Sequence, residues 1–385
     1  MNRSTIMHLA DFAAPYRGGF IASLNALNAA LSDSGLAQLA VFPDRARARD
    51  WFEDWQGPTL PDKGSPYKLA RAIAALAASN NVKIIHTHYT RFDIPAYVAR
   101  RLLGRGRKVE VIWHVRSMPA ETGHSSLSRR LKDFVKLGLI SKQVHIVAVS
   151  EGVAEMLHQR GLRPRERTIV VPNGLDTRRA LASTRLREEL RALLGISEKS
   201  RVLLLFGWEP HRKGVDIATE AVGQLVMEGR DLVLLLVGTD LLEAYVEQMY
   251  GTRVPDWLRV VPPQENVADL YRVADVFVAA SRAEGFSYAV GEAIVNELPV
   301  CLSDIPGHQW AAKMPTAALF RSEAASDCTA TLRKVLNWSA NDIRSRGSAS
   351  KDEIEKCFSI DAWCKQMLNI YHDILQRPHP RVAEG

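Results

Sequence analysis

Short apolar runs alternate with helical patterns along this chain of 385 residues, and no other feature constrains its fold as strongly. Early examples are Thr5 to Ala10, Lys83 to His88 and Val109 to Arg116, and a segment with helical spacing follows each of them. Runs of this length suit buried strands. Because strand and helix alternate repeatedly, the pattern predicts an α/β fold built on a parallel sheet with helices on its faces.

The same plan occurs twice in the sequence. The first series ends at the turn signal Pro172-Asn173-Gly174, and a second begins with the apolar run from Arg201 to Phe206. A chain of this length exceeds one ordinary hydrophobic core. We therefore predict two doubly wound, Rossmann-like domains over residues 1–175 and 176–360, facing each other across a cleft. A closing helix and tail occupy residues 361–385.

Composition excludes several classes of protein. The chain is 46% hydrophobic and 24% charged, as soluble globular proteins are, and its four cysteines form no C-x-x-C pair. We expect those cysteines to be reduced and to form no zinc framework. Asp11 and Arg17 interrupt any apolar signal-peptide core, and no run approaches the roughly 18 apolar residues of a membrane span. The predicted location is the cytoplasm.

Charge is distributed unevenly between the two halves. Residues 1–175 contain 25 Lys and Arg against 14 Asp and Glu, whereas the remainder contains 25 against 29. A basic half attracts a polyanion or an anionic membrane surface. Its clusters are Arg100, Arg101, Arg105, Arg107 and Lys108, and, on a predicted helix over 126–140, Arg129, Arg130, Lys132 and Lys136. Either that helix lies on lipid at the inner face of the cell membrane, or it is a solvated face packed on its own sheet.

The stretch from Glu284 to Glu292 carries the strongest functional pattern. A strand-like run precedes Glu284, and an apolar helical pattern with Ser287 as its N-cap leads to Glu292. Free amides at a helix N-terminus favour a phosphate, and ionised carboxylates accept hydrogen bonds from sugar or ribose hydroxyls. The combination predicts a nucleotide-sugar site. The alternative is a solvated loop glutamate followed by an exposed helix glutamate.

Two further loops predict phosphate contacts. Gly18 and Gly19 follow the first strand and precede a helix, which lets backbone approach a phosphate, although this is not the G-x-G-x-x-G fingerprint. Arg212 and Lys213 precede the helix that follows the run ending at Phe206, and two cations there suit a diphosphate. Ordinary surface charge is the alternative for this pair.

Histidines end two of the predicted strands. His86 and His88 share one face of their strand and could chelate a metal, but no further ligand cluster or D-x-D pair accompanies them. We therefore predict no metal site, and interpret both residues as polar groups at the carboxyl end of a strand that face a ligand. His114 occupies the same position on the next strand, where a structural and a functional role both remain open.

Taken together, these residues resemble the retaining family 4 glycosyltransferases of the GT-B fold. Glu284 and Glu292, with seven residues between them, resemble the E-x7-E motif of that family. The likeness extends over most of the chain, in the order in which the family carries its motifs: the Gly18-Gly19 loop, His86-Thr87-His88, His114, Ser150-Glu151, Pro172 to Asp176, Gly207, Lys213-Gly214 and the closing helix.

The resemblance implies a role for each matching residue. It implies catalytic roles for Glu284, His114 and Lys213, in which Glu284 binds donor-sugar hydroxyls, His114 contacts the sugar near the reacting carbon and Lys213 holds the diphosphate. Further donor contacts would come from Gly18, Gly19, Arg212, Gly285, Phe286, Ser287 and, at the ribose, Glu292. The closing helix would cross back to the first domain. One departure is Trp208, since the family commonly has Arg or Lys there, and Arg212 would replace that cation.

The implied enzyme is a metal-independent hexosyltransferase that needs no cofactor. It would move a sugar from a UDP- or GDP-sugar to a hydroxyl of a saccharide or lipid-linked acceptor, with retention of configuration, in cell-envelope polysaccharide or lipopolysaccharide biosynthesis. One alternative is a sugar-nucleotide epimerase of the same architecture. Another is a non-catalytic scaffold or nucleic-acid binder, which we do not favour because no nucleic-acid-binding motif is recognisable.

Overall fold

The computed structural model describes residues 3–14, 17–53, 55, 57–104, 106–117, 133–162, 168–264 and 266–376. By their internal contacts these residues form two compact units. The first unit contains the described residues up to Gly174, together with the last helix from Ile360. The second unit contains the described residues from Leu175 to Ser359.

A sheet of seven parallel strands forms the centre of the first unit, in the order β3-β2-β1-β4-β5-β6-β7. Its strands are β1 (Thr5–Ala10), β2 (Ala37–Pro43), β3 (Thr59–Leu60), β4 (Val82–His88), β5 (Glu110–Val115), β6 (His145–Ala148) and β7 (Thr168–Val170). The α/β prediction is confirmed. Strand β3 was not predicted, because two residues are too few to form a periodic pattern.

Helices of the first unit follow their strands as predicted. They are Gly18–Asp33, Pro66–Ser79, Asp93–Leu103, Glu151–Gln159 and Ile360–Gln376. Of the helix predicted over 126–140, residues up to 132 lie outside the described part, and Phe134–Ile140 forms a π-helical segment.

The second unit repeats the plan around a six-stranded parallel sheet in the order β10-β9-β8-β11-β12-β13. Its strands are β8 (Arg201–Phe206), β9 (Leu232–Val237), β10 (Leu258–Val261), β11 (Val276–Ala279), β12 (Val300–Ser303) and β13 (Ala317–Phe320). Its helices are Thr177–Ala180, Arg187–Leu193, Val215–Met227, Asp240–Tyr250, Val267–Val273, Tyr288–Val295, Ala325–Leu336 and Ala340–Cys357. Strand β13 was not predicted, because it is only four residues long and two of them are alanine, which does not favour strands.

The last helix packs on the first sheet, so the prediction that the closing helix returns to the first domain is confirmed. Its side chains Trp363, Met367 and Tyr371 are buried in one hydrophobic cluster with Ile6 and Ile84 of the sheet. These apolar side chains, which recur at helical spacing along the last helix, are therefore packed core. Among the described residues, no helix combines the length and the apolar character that crossing a membrane requires.

Candidate functional site

Two loops of the second unit meet because their strands are neighbours. Strands β8 and β11 are hydrogen-bonded side by side and parallel, so the loops that follow them leave the same edge of the sheet. The backbone N–H of Arg282 donates to the carbonyl oxygen of Arg212 at 2.8 Å, and Arg212 Nη1 donates to the carbonyl oxygen of Ala283 at 3.0 Å. These bonds join the loop with the two predicted cations to the loop with the first glutamate.

Glu284 is buried between both of those cations. Its Oε1 lies 2.5 Å from Lys213 Nζ and 3.2 Å from Arg212 Nη1, and it also accepts a hydrogen bond from Ser281 Oγ at 3.1 Å. Arg212 additionally pairs at 2.9 Å with Glu209, a largely exposed side chain. The structure thus brings the predicted cation pair, Arg212 and Lys213, into contact with Glu284, which was selected from a different stretch of the sequence.

The charge of Glu284 is set by this neighbourhood. Burial alone would raise the pKa of the Glu284 carboxyl, but the positive charges of Lys213 and Arg212 outweigh burial and lower the pKa to about 2. Glu284 is therefore an ionised, acceptor-only group at neutral pH. A hydroxyl that approached it would have to donate a hydrogen bond.

Glycines allow the backbone approaches around Glu284. Gly214 has a φ of +67°, and a Cβ added there would lie 2.0 Å from the carbonyl oxygen of Ala280. Gly307, on the turn after β12, is equally close to Glu284, where an added Cβ would lie 2.0 Å from the carbonyl oxygen of Glu284. Any larger residue at either position would force these segments apart.

Arg282 links the loop after β11 to the loop after β8 by hydrogen bonds. It was not predicted from the sequence. Its guanidinium makes paired hydrogen bonds to Asp216 at 2.9 and 2.7 Å, and it also donates to the carbonyl oxygen of His211 at 2.6 Å. Asp216 lies in the first turn of the helix Val215–Met227. The one feature of the sequence that could have identified Arg282 is its position two residues before Glu284. Arginines in loops are common on protein surfaces, so this position alone did not single it out.

Glu292 has a different environment from Glu284. It is half-buried on the helix Tyr288–Val295, and its Oε2 accepts a hydrogen bond at 2.8 Å from the hydroxyl of buried Tyr271. Burial raises the pKa of the Glu292 carboxyl, while the hydrogen bond from Tyr271 and the charge of Arg179 partly oppose this effect. Tyr271 and Arg179 carry no recognisable pattern in the sequence, and neither was predicted.

The segment between the two glutamates is only partly as predicted. Ser287 occupies the N-cap position as predicted, although its side chain makes no capping hydrogen bond. Within the described part of the chain, no backbone carbonyl accepts from the amides of Gly285, Phe286 or Ser287. The ring of Phe286 stacks on Trp310 with 4.3 Å between ring centroids. The open amides therefore remain candidates for contacts with an anion.

Trp208 stands where the family commonly has a cation. It lies in the loop after β8, its ring stacks parallel to Phe206, and 37% of its surface is exposed. A tryptophan ring offers one N–H donor and no charge. Arg212 is the second cation beside Glu284, which is consistent with the replacement predicted from the sequence without testing it.

Gly18, Gly19 and His114 belong to the first unit. Gly18 has a φ of +54° and begins the helix Gly18–Asp33, while the carbonyl oxygen of Gly19 accepts from Ser23 Oγ at 2.8 Å. Pro15 and Tyr16 of the predicted glycine loop lie outside the described residues. His114 is buried on β5, and its roles in donor binding remain a prediction.

His114 belongs to a buried histidine cluster, formed by His8, His86, His88 and His114. His86 Nε2 lies 3.1 Å from His114 Nδ1, and His86 Nδ1 lies 2.7 Å from the hydroxyl of Tyr371 on the last helix. Burial, reinforced by nearby charge, lowers the pKa of each of these imidazoles, so all four are neutral. Polar groups thus end the strands as predicted, but they bond to one another.

One chain of hydrogen bonds in the cluster has a fixed direction. Arg116 Nε can only donate, and it lies 3.2 Å from His88 Nδ1, so the proton of His88 is on Nε2. His88 Nε2 then donates to His8 Nδ1 at 2.9 Å. Within the described residues, His8, His86 and His88 are also the one group of at least three potential metal ligands, with ligand atoms within 4.8 Å of one another. The prediction of no metal stays a prediction.

The basic helix predicted for the first half needs one correction. Lys136 was grouped with cations that could face lipid, but its Nζ lies 2.5 Å from the carboxylate of buried Asp93 and 5.3 Å from the centre of the Trp113 ring. Its charge is therefore neutralised inside the protein. Asp93 needs that partner, because an unpaired buried carboxylate is costly.

Family models match both units of the chain. The model described as Glycosyltransferase Family 4 matches residues 32–179, and the model described as Glycosyl transferases group 1 matches residues 200–337. The chain belongs to the family 4 glycosyltransferases. This confirms the resemblance drawn from the E-x7-E motif, and with it the GT-B architecture.

Individual relatives and solved structures with the same fold are distant in sequence from this glycosyltransferase. The N-acetyl-alpha-D-glucosaminyl L-malate synthase of Bacillus anthracis is 27% identical over 238 residues, which are 61% of this chain and 60% of that protein. A glycosyltransferase from Rickettsia africae ESF-5 superposes with a TM-score of 0.81 at 16% identity, over 98% of this chain and 100% of that one. Anabaena HepE in complex with UDP superposes with a TM-score of 0.79 at 16% identity, over 96% of this chain and 100% of that one. At such identities the solved structures show the fold alone.

Proposed function

We propose that the second unit binds a nucleotide-diphosphate sugar and that the enzyme transfers the sugar to a hydroxyl of a saccharide or lipid-linked acceptor. The observation that carries the proposal is the cluster of Lys213, Arg212 and Glu284. Two cations adjoin one buried carboxylate, and the second carboxylate that contacts them, Glu209, is largely exposed, so both cations can offer charge-assisted hydrogen bonds to a diphosphate. The carboxylate between them is an acceptor for sugar hydroxyls.

Relatives support a nucleotide-sugar donor. Anabaena HepE, which shares the fold, was solved with UDP and with UDP-glucose. The half-buried carboxylate of Glu292, oriented by Tyr271, is our candidate for binding the ribose diol. A UDP- or GDP-sugar is therefore the donor class that we propose.

The proposed chemistry needs stabilisation of an anion. When the bond from the anomeric carbon to the phosphate oxygen breaks, the nucleoside diphosphate takes the electron pair and the sugar becomes oxocarbenium-like. Lys213, Arg212 and the open amides after Glu284 would stabilise that leaving group without a metal, and one such donor is worth about 3 kcal/mol. We propose retention through front-face attack, in which the acceptor hydroxyl transfers its proton to the departing phosphate.

We propose that the enzyme meets its acceptor at an anionic membrane surface or on a polyanionic saccharide. The excess of 25 basic over 14 acidic residues in the first 175 favours an anionic membrane face or a polyanionic saccharide. Synthesis of cell-envelope polysaccharide or lipopolysaccharide at the inner face of the membrane would supply both. Lipid-linked acceptors are therefore the first class to assay.

Binding and turnover test the proposal separately. UDP, UDP-glucose, GDP and GDP-mannose should each be titrated by calorimetry and thermal shift, with and without EDTA, since a ligand of the native state raises its melting temperature. We expect one nucleotide pair to bind, EDTA to have no effect, and nucleoside diphosphate to be released when an acceptor extract is added. Absence of binding by every nucleotide would contradict the proposal, and an epimer formed from donor alone would replace it.

A further inference from the structure

His308 is a buried histidine whose tautomer the structure fixes. It ends the short turn Pro306–His308 after β12 and has no exposed surface. Its Nδ1 lies 2.9 Å from the carbonyl oxygen of Ser303, and a carbonyl oxygen can only accept, so the proton of the neutral ring is on Nδ1. Nε2 is then a lone-pair acceptor. Within the described part of the chain it has no hydrogen-bond partner.

The turn that carries His308 lies directly against Glu284. At Gly307, an added Cβ would lie 2.0 Å from the Glu284 carbonyl oxygen and 2.8 Å from its Cβ. Burial lowers the pKa of His308, and the nearby charge of Glu284 opposes this effect only in part. Burial therefore favours the neutral ring, whose Nε2 stays an acceptor, and the turn that carries it contacts the backbone and Cβ of Glu284.

A buried acceptor without a partner is costly unless a ligand fills it. The groups a nucleotide sugar offers to Glu284 are hydroxyl donors, whereas the diphosphate offers only acceptors, which Nε2 would repel. We propose that His308 Nε2 accepts a hydrogen bond from a hydroxyl of the bound donor sugar, and so helps to determine which sugar is used. This inference rests on the proposed function of the same site.

A purely structural role is the competing explanation. The Nδ1–H bond to Ser303 holds the turn, and that contact alone would justify a buried histidine. Two substitutions separate the roles. The amide nitrogen of an asparagine is near the position of Nδ1, so His308→Asn can keep the bond to Ser303 while it removes Nε2. The amide oxygen of a glutamine is near Nε2, so His308→Gln can keep the acceptor while it loses the bond to Ser303.

The experiment compares affinity for the nucleotide sugar with affinity for the nucleotide alone. We expect His308→Asn to lose roughly ten- to a hundredfold in affinity for UDP-glucose, as a lost buried hydrogen bond would cause, with unchanged affinity for UDP. GDP-mannose and GDP replace this pair if the wild type prefers guanine. We expect His308→Gln to have a lower melting temperature but to retain most of the difference between the two ligands.

Deoxy donors sharpen the result. One monodeoxy analogue of the donor sugar should bind the wild type as weakly as His308→Asn binds the intact donor, and the variant should not discriminate against that analogue. Equal loss of UDP and UDP-glucose by His308→Asn, or no loss of either, would overturn the inference. If the wild type bound no nucleotide, the proposed function itself would fail, which is a distinguishable outcome.

Discussion

At the scale of single residues, Glu284 and Glu292 show how one loop and helix produce two carboxylates of different character. The charges of Lys213 and Arg212 lower the pKa of Glu284 to about 2, whereas burial raises the pKa of Glu292 above its usual range. The lowered pKa of Glu284 means that the folded state favours its ionised form, so the ionised carboxylate stabilises the fold. The environment of Glu292 opposes ionisation, so the folded state bears a cost when Glu292 is charged.

Stability should therefore depend on pH differently in the two glutamine variants. A carboxyl whose folded pKa is lowered stabilises the fold above its unfolded pKa of about 4.5, and this contribution is lost as pH falls towards 2. We expect Glu284→Gln to lower the free energy of unfolding by roughly 3 kcal/mol at pH 7, and the deficit to shrink progressively below pH 4.5. Urea unfolding between pH 7 and 3 measures it.

Glu292→Gln is the matched control. It keeps an acceptor for Tyr271 and removes a carboxyl whose folded pKa is raised, so stability at pH 7 should be unchanged or higher. Any difference from the wild type should fade as pH falls through the raised pKa and the native Glu292 becomes protonated. Equal destabilisation by both variants at pH 7 would show that the shape of the side chain, and not its charge, determines the free energy of unfolding at these positions.

Arg212 and Trp208 allow a rescue experiment. If Arg212 is the second diphosphate cation, Arg212→Met should weaken nucleoside-diphosphate binding by roughly a hundredfold, the effect of one lost charge-assisted contact. Adding Trp208→Lys should restore part of it, because the family commonly has a cation at that position. Lys334→Met, an exposed residue of the same unit, controls for net charge. Unchanged binding in Arg212→Met would exclude Arg212 as that cation.

At the scale of elements, Gly214 connects the site to the sheet. It precedes the helix Val215–Met227 in a left-handed conformation, with the Ala280 backbone in contact range of any added side chain. Gly229, just beyond the other end of that helix, has a φ of +86° with open space around it. The two glycines share the backbone requirement and differ only in their surroundings.

Alanine substitutions should separate these two effects. Gly229→Ala should cost about 1–2 kcal/mol, the strain of a left-handed non-glycine residue. Gly214→Ala should cost roughly 3 kcal/mol more, because the clash with Ala280 forces the helix and strand β11 apart. Chemical denaturation measures both values. Similar losses in the two variants would mean that the backbone at Gly214 relaxes without separating the loops.

Elements with strong periodicity were predictable, and long-range pairing was not. Apart from Arg201 at the start of β8, the runs of β8 and β9 are apolar and were evident in the sequence, whereas β3 is too short to form a pattern. Arg212, Lys213 and Glu284 were each selected locally. Their contact depends on the adjacency of β8 and β11, which local patterns do not encode. His308 is an isolated histidine in the sequence, and only its burial, its contact with the Ser303 carbonyl oxygen and its buried Nε2 draw attention to it.

At the scale of the whole molecule, the net charge of +7 combines a basic first half and a mildly acidic second half. The ion pair between half-buried Lys136 and buried Asp93 reduces the positive charge that this segment could offer to lipid. The same π-helical segment leaves Phe134 and Leu139 exposed, at 60% and 49% of their surfaces. If the protein binds a membrane, as we propose, charge from the basic half and apolar side chains from this segment would be separate contributions to that binding.

Vesicle sedimentation can resolve these two contributions. We expect the full chain to sediment with vesicles containing anionic phosphatidylglycerol at low salt, and to be released near 0.5 M salt as screening shortens the range of charge interactions. Replacing Phe134 and Leu139 by serine should weaken binding while the salt dependence persists, since the basic residues are untouched. Equal binding to purely zwitterionic vesicles would contradict an electrostatic origin. Salt-independent binding that both serines abolish would assign the association to the apolar segment alone.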